Sequence, residues 1–189
     1  VHDVPVFDRV APIYDALLPG TAREPLDDGL SYAERDLSTL VDLGGGTGRA
    51  ARALAHEPIV FDGSQGMLRK ARNQGMAAIR GDVRHLPFPD ASLDAVISVD
   101  AVHHFPAVPT VVEDVFRTLA VGGVFVVREF DPDTLRGTAL VAGERLVGFA
   151  STFYTVDELD GVLDAAGFDT IVEERGFVYT LVGVKPDPK

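Results

Sequence analysis

The chain of 189 residues contains no cysteine and no tryptophan, and only two methionines. Without cysteine there are no disulfides, no thiolate metal sites and no cysteine nucleophile, and nothing argues for an oxidising compartment. Lysine is nearly absent: 3 Lys stand beside 14 Arg, while 20 Asp stand beside 9 Glu. The formal charge of −12 opposes a surface built to grip a nucleic-acid backbone, which needs clustered cations. No apolar run approaches the roughly 20 residues that a membrane span requires. The opening Val1-His2-Asp3-Val4-Pro5 lacks the basic and apolar regions of a signal peptide, so a cytoplasmic protein is expected. The Asp and Arg bias suits a salt-rich cytoplasm, with an ordinary acidic surface as the alternative.

With 46% hydrophobic residues the chain is long enough for one well-packed core and short for two, so residues 1–189 are expected to form a single domain. Its organising stretch is Val41-Asp42-Leu43-Gly44-Gly45-Gly46-Thr47-Gly48-Arg49. An apolar run ends on an acid and breaks into four glycines, which reads as strand, tight loop and helix start. The helix is expected from about Thr47 to His56, with its free N–H groups and positive dipole end facing a ligand.

Further strands follow at Ile59–Asp62, Met76–Arg80, Leu93–Val99 and Val124–Glu129, separated by helical patterns after Ser64 and over about Val108–Leu119. The turn Val121-Gly122-Gly123 closes the latter helix. Strands alternating with helices call for a parallel sheet covered on both faces. A last helix over about Val156–Ala166 leads to Phe168–Glu173 and Phe177–Val184, close enough to pair as an antiparallel hairpin. The expected fold is therefore α/β, a doubly wound, seven-stranded and mostly parallel sheet with a C-terminal antiparallel hairpin. Residues 1–36 read as an N-terminal lid and first helix (about Asp27–Asp36), and 130–154 as a short insertion on the substrate side without strand pattern.

Asp62 ends the second strand 18 positions past Gly44, about where doubly wound folds place an acid on the ribose hydroxyls of a nucleotide. Ser64 fills the cap position of the next helix, which leaves Asp62 for a ligand. Gly46-Thr47-Gly48-Arg49-Ala50-Ala51 also fits the relaxed dinucleotide fingerprint. Asp42 before the glycines, Gly81-Asp82 after the third strand and the closing hairpin argue against a nicotinamide cofactor.

Asp42-Leu43-Gly44-Gly45-Gly46-Thr47-Gly48 resembles the nucleotide loop of class I S-adenosylmethionine-dependent methyltransferases. The run from His85 to Val96, followed by His103-His104-Phe105, and the opening Phe7–Asp15 resemble the small-molecule subgroup that includes ubiquinone- and menaquinone-biosynthesis methyltransferases. The resemblance implies S-adenosylmethionine as cofactor, a small-molecule methyl acceptor, and no metal. It implies that Gly44, Gly45 and Gly46 let the main chain approach the methionine end, while Asp42 and the Val99 carbonyl meet its ammonium. Asp62 would accept from the ribose hydroxyls, with Gly63 keeping that wall thin. Met67 would pack on adenine, Asp82 would accept from its amine and the Val83 N–H would meet a ring nitrogen.

For an acceptor that must lose a proton, His104 is the candidate base and Tyr14 a positioning group. The insertion is short, so the roof of the acceptor pocket is small or is completed by a second subunit of a homodimer. The alternative function is a protein that binds S-adenosylmethionine or S-adenosylhomocysteine without catalysis.

Overall fold

The computed structural model describes residues 4–11, 21–149 and 151–188. Tyr14 lies outside them. At the centre is β1 (Leu40–Leu43), whose four residues are all buried. It pairs in parallel with β2 (Ile59–Asp62) on one side and β4 (Leu93–Val99) on the other, Val41 lying opposite Ile59 and Val96. With β3 (Ala78–Arg80), β5 (Leu119–Phe130), β6 (Asp169–Glu174) and β7 (Val178–Val184), the order is β3-β2-β1-β4-β5-β7-β6. β7 runs antiparallel to both β5 and β6, as the hairpin expectation required.

Successive residues of a strand point to opposite faces, so a sheet covered twice needs apolar residues at both parities. β4 and β5 meet that demand. Val96, Phe125 and Val127 pack on one face with Val111 and Val115 of α4 (Val108–Thr118) and Leu159 and Leu163 of α6 (Val156–Ala166). Ala95, Ile97, Val124 and Val126 pack on the other with Leu26 and Leu30 of α2 (Glu24–Leu30). The N-terminal α1 (Val4–Val10) lies instead against α3 (Gln65–Asn73), where Asp8 Oδ1 accepts from Ser64 Oγ at 2.6 Å and from the Gly66 N–H at 2.7 Å.

The chain leaves β1 toward β2 and β3, then returns to lay β4 on β1's other edge. The order thus reverses between β1 and β4, which opens a crevice at their C-terminal ends. Five carboxylates sit at or just past the C-terminal ends of the first five strands: Asp42, Asp62, Asp82, Asp100 and Glu129.

Four elements differ from expectation. The helix expected from Thr47 to His56 is a series of turns with one 3-10 turn at Ala51–Ala53. Gly48 adopts φ +78°, a left-handed conformation that an α-helix cannot contain. α2 starts at Glu24 rather than near Asp27 and ends at Leu30. The turn Val121-Gly122-Gly123 is absorbed into β5 as an irregularity, Leu93 pairing with Leu119 but Ala95 with Val124. Finally, the insertion holds a helix, α5 (Leu135–Val147).

A Cβ on Gly48 would stand 2.2 Å from Met76 Sδ, a flexible side chain that can shift, so the left-handed backbone sets most of the cost of substitution. Gly48→Ala is expected to lower unfolding stability by about 1–2 kcal/mol, read as a reduced urea midpoint at unchanged slope.

Candidate functional site

The glycine loop is bent over Asp42. Gly44 and Gly46 take φ of +72° and +56°, and a Cβ on Gly45 would lie 2.5 Å from the Asp42 carboxylate. Asp42 is fully buried, and neither of its oxygens has a hydrogen-bond partner among the described residues. Burial pushes its pKa up to about 7. The Ala51 N–H, outside ordinary hydrogen-bond geometry, offsets part of that shift, as do Arg49 and Arg52, while Asp62 adds to it.

Asp62 ties three pieces of main chain together. Its Oδ2 accepts from the Gly46 N–H at 3.0 Å and its Oδ1 from the Ser64 N–H at 2.7 Å. Ser64 Oγ caps α3 by accepting from the Met67 N–H at 3.2 Å, as the sequence led us to expect. Burial raises the Asp62 pKa against these donors. The carboxylate is thus engaged by backbone on one side while it lines a cavity on the other.

Two adjoining cavities share Gly44, Gly46 and Asp100 in their walls. The larger, about 620 Å³ and open to solvent, is walled by Asp62, Gly63, Met67 and Val83 at one end and by Phe7, His104 and Phe105 at the other. The smaller, about 310 Å³, is walled by Asp42, Gly45, Arg49 and Val99. Of the residues singled out in the sequence, Asp42, Gly44, Gly45, Gly46, Asp62, Gly63, Met67, Val83, Val99 and His104 therefore meet in one crevice. Asp82 does not line either space. Its carboxylate is held by the Arg84 guanidinium, Arg84 Nη2 standing 2.6 Å from Oδ2, and that contact draws its pKa down to about 2.

Several residues here were not singled out in the sequence. Arg49 Nη2 pairs with Asp100 Oδ2 at 2.6 Å inside the crevice, both side chains largely buried. Burial and the neighbouring Glu129 raise the Asp100 pKa, with Arg49 opposing. Glu129 is 1% exposed and lies 2.8 Å from His103 Nδ1, off the direction of the ring N–H. Beyond His103, Nε2 stands 3.5 Å from Glu144 Oε1 of α5. Burial disfavours charge on His103, but Glu129 and Glu144 outweigh it and hold the pKa at about 10. His103 is therefore an imidazolium at neutral pH. Glu144 also accepts from Ser151 Oγ, and Ser151 Oγ lies 3.2 Å from His104 Nδ1. An acid at the tip of each early strand was a signal available for Asp100 and Glu129; Glu144, from an insertion with no assigned element, offered none.

Residues 41–127 match the family described as "Methyltransferase domain". The chain carries a methyltransferase domain. It is 34% identical over 142 residues to a malonyl-[acyl-carrier protein] O-methyltransferase of Xylella fastidiosa, covering 68% of this chain and 48% of the relative. It is 31% identical over 150 residues to a mitochondrial arginine-hydroxylase of Rattus norvegicus, covering 72% and 44%. The chain thus spans about half the length of these curated relatives. Among solved structures, an S-adenosylmethionine-dependent methyltransferase from Thermotoga maritima superposes with a TM-score of 0.80 at 21% identity, covering 96% of this chain and 99% of that one. The fold of the methyltransferase domain is accordingly the Rossmann-like fold of S-adenosylmethionine-dependent methyltransferases, seven strands with the closing antiparallel pair. Among the described residues no helix is long and apolar enough to cross a membrane.

The Asp42 carboxyl binds a proton more tightly in the folded chain than its ordinary value of 3.8 allows. Between pH 4 and 7 the native state therefore holds more protons than the unfolded state, and stability falls as pH rises through that window. Removing the titration should remove the fall. In urea unfolding of the ligand-free protein, wild type is expected to lose stability relative to Asp42→Asn from pH 4 to pH 8, by a few kcal/mol at most.

Proposed function

We propose that this chain is an S-adenosylmethionine-dependent methyltransferase acting on a small, largely apolar acceptor. The observation that carries the reading is Asp42, a buried carboxylate with no hydrogen-bond partner among the described residues, in the wall of a cavity beside the Val99 strand end. A ligand ammonium there restores the charge balance that burial upsets. The amino-acid end of the cofactor occupies the smaller space, its ammonium toward Asp42 and the Val99 carbonyl. Its carboxylate goes to Arg49 rather than to a helix start, because the expected helix is absent and the loop N–H groups of Gly44 and Gly46 are committed to Phe61 O and Asp62.

The nucleoside lies in the larger space. Asp62 accepts from the ribose hydroxyls, Gly63 leaves room for the sugar, and Met67 and Val83 flank adenine. For Asp82 to accept from the adenine amine, its carboxylate has to turn from Arg84. α1 supplies the roof through Val4 and Phe7, held down by Asp8.

The acceptor enters between Phe7, His104 and Phe105. Its nucleophilic atom attacks the methyl carbon in line, the C–S electron pair stays on sulfur, and S-adenosylhomocysteine leaves. Holding three atoms in a row supplies the main rate gain, on the order of 7–11 kcal/mol. His104, in the wall of the cavity beside Phe7 and Phe105, is the imidazole placed to take a proton from the acceptor. Tyr14, outside the described residues, keeps its proposed positioning role. The net charge of −12 favours a small acceptor over nucleic acid, and a homodimer would complete the roof.

Calorimetry should show wild type binding S-adenosylmethionine and S-adenosylhomocysteine, and Asp62→Ala weakening both by about tenfold to a hundredfold, the worth of a charged hydrogen bond. No heat in wild type, or unchanged affinity in Asp62→Ala, would sink the cofactor reading. A labelled-methyl assay over small hydroxyl, amine and carboxyl acceptors separates transfer from non-catalytic binding, and also from hydroxylation of the kind the rat relative's name describes. On an accepted substrate, His104→Ala is expected to cut kcat by about 10²–10⁴ while leaving cofactor affinity unchanged.

A further inference from the structure

We propose that His103, His104 and Glu144 form a binding site for one divalent transition-metal ion at the acceptor end of the larger cavity. Each offers one ligand atom, and the three atoms lie within 4.8 Å of one another; His103, protonated in the ion-free chain, releases its Nε2 proton to solvent as the ion binds. Donors sharing an ion at about 2.1 Å stand roughly 3.0 Å apart when adjacent and 4.2 Å when opposite. His103 Nε2 and Glu144 Oε1, at 3.5 Å, already fall in that range. The widest pair needs less than an ångström of adjustment, within the reach of side-chain rotation on α5.

The surroundings are those of a ligand set rather than of a chance cluster. Glu129 faces Nδ1 of His103 at 2.8 Å, off the ring N–H direction, so it acts on the ring through its negative charge, while Nε2 faces Glu144. A carboxylate behind an imidazole is the arrangement that orients histidine ligands and raises their donor strength. Ser151 Oγ contacts the second Glu144 oxygen and His104, steadying both. The rings are fixed by packing: Phe153 stacks on His103 at 4.4 Å and 8°, and Phe7 and Phe149 wall His104 at 4.8 and 5.2 Å. The Thr152 N–H donates to the His103 carbonyl at 2.8 Å and holds the strap that carries Ser151 and Phe153.

Two imidazoles and one carboxylate suit Fe2+, Co2+, Ni2+ or Zn2+ better than Mg2+ or Ca2+, which prefer all-oxygen shells. Three protein ligands leave positions open, and because His104 lines the cavity, those positions face the acceptor space. An oxygen ligand there, water or an acceptor hydroxyl, is acidified by the ion. In the loaded protein the ion takes over the task that His104 performs as a base in the ion-free chain. Occupancy of the site does not depend on the methyl-transfer reading, so the two can fail separately.

The test uses the whole chain, stripped with EDTA and titrated with Co2+ and with Zn2+. Co2+ reports its coordination by visible absorption and Zn2+ by calorimetry. Saturable binding of one ion per chain is expected. Glu144→Gln and His104→Gln should each weaken it by tenfold or more, and Glu129→Gln, acting only through His103, by about 10–100-fold. The double variant His56→Ala/His85→Ala removes two exposed histidines and should bind as wild type does. Circular dichroism confirms that each variant is folded. The proposal is overturned if the stripped protein shows no saturable binding, if Glu144→Gln and His104→Gln bind unchanged, or if the surface double variant loses the ion.

Discussion

A carboxylate buried at the tip of the central strand, with no hydrogen-bond partner among the described residues, is the constraint on which the crevice depends. Moving an ionised carboxylate out of water costs several kcal/mol unless a partner compensates. Asp42 has none inside the described chain, and its environment is shaped to keep it that way. Gly45 has no Cβ because the carboxylate occupies that position, Gly44 turns left-handed to bring Ala101 and Phe105 close, and Asp62 holds Gly46 in place from the neighbouring strand. Main chain that would otherwise relax around the acid is tied elsewhere, so what the acid lacks must come from outside.

The same crevice sorts its charges into two compartments. At the glycine-loop end Asp42, Asp62 and Asp100 outnumber Arg49 in the cavity walls, leaving a demand for positive charge. At the other end Glu129 and Glu144 favour the protonated form of His103, and the half-buried His104 fronts the cavity among aromatic rings. Glu129 connects the two: it raises the Asp100 pKa on one side and the His103 pKa on the other. A change at one end of the crevice is felt electrostatically at the other.

How much could be read from the chain depended on whether the deciding interaction was local. The strands at Ile59–Asp62 and Leu93–Val99 and the helix Val156–Ala166 were legible to the residue, because apolar runs and the first-turn acids Asp157 and Glu158 signal them nearby. Asp62 followed from its spacing past the glycine loop, and Asp42 and Val99 from the family resemblance that the loop carries. The helix after the glycine loop was misread because an alanine-rich stretch favours a helix while Gly48, tucked under Met76, needs a conformation no helix allows. α5 was missed because its apolar residues do not gather on one face: Leu135 is 93% exposed and Leu146 90%. Arg49 with Asp100, and Glu144 with His103, join positions about 50 and 41 apart, and no local pattern announces such partners.

That α5 reaches the site through Glu144 alters how the roof works. An exposed helix with two bare leucines has little apolar area to hold it on the sheet, at about 25 cal/mol per Å² buried. Its anchorage is polar instead, Glu144 to His103 and to Ser151, reinforced by the strap from Ser151 to Phe153. α1 is held in the same manner, through Asp8 on Ser64 and Gly66. Both roof pieces are therefore fastened in part through a carboxylate, Asp8 for one and Glu144 for the other. Such contacts are worth a few kcal/mol against the larger sum that holds the sheet. Roof pieces held this lightly separate from the sheet at less cost than the strands beneath them separate from one another.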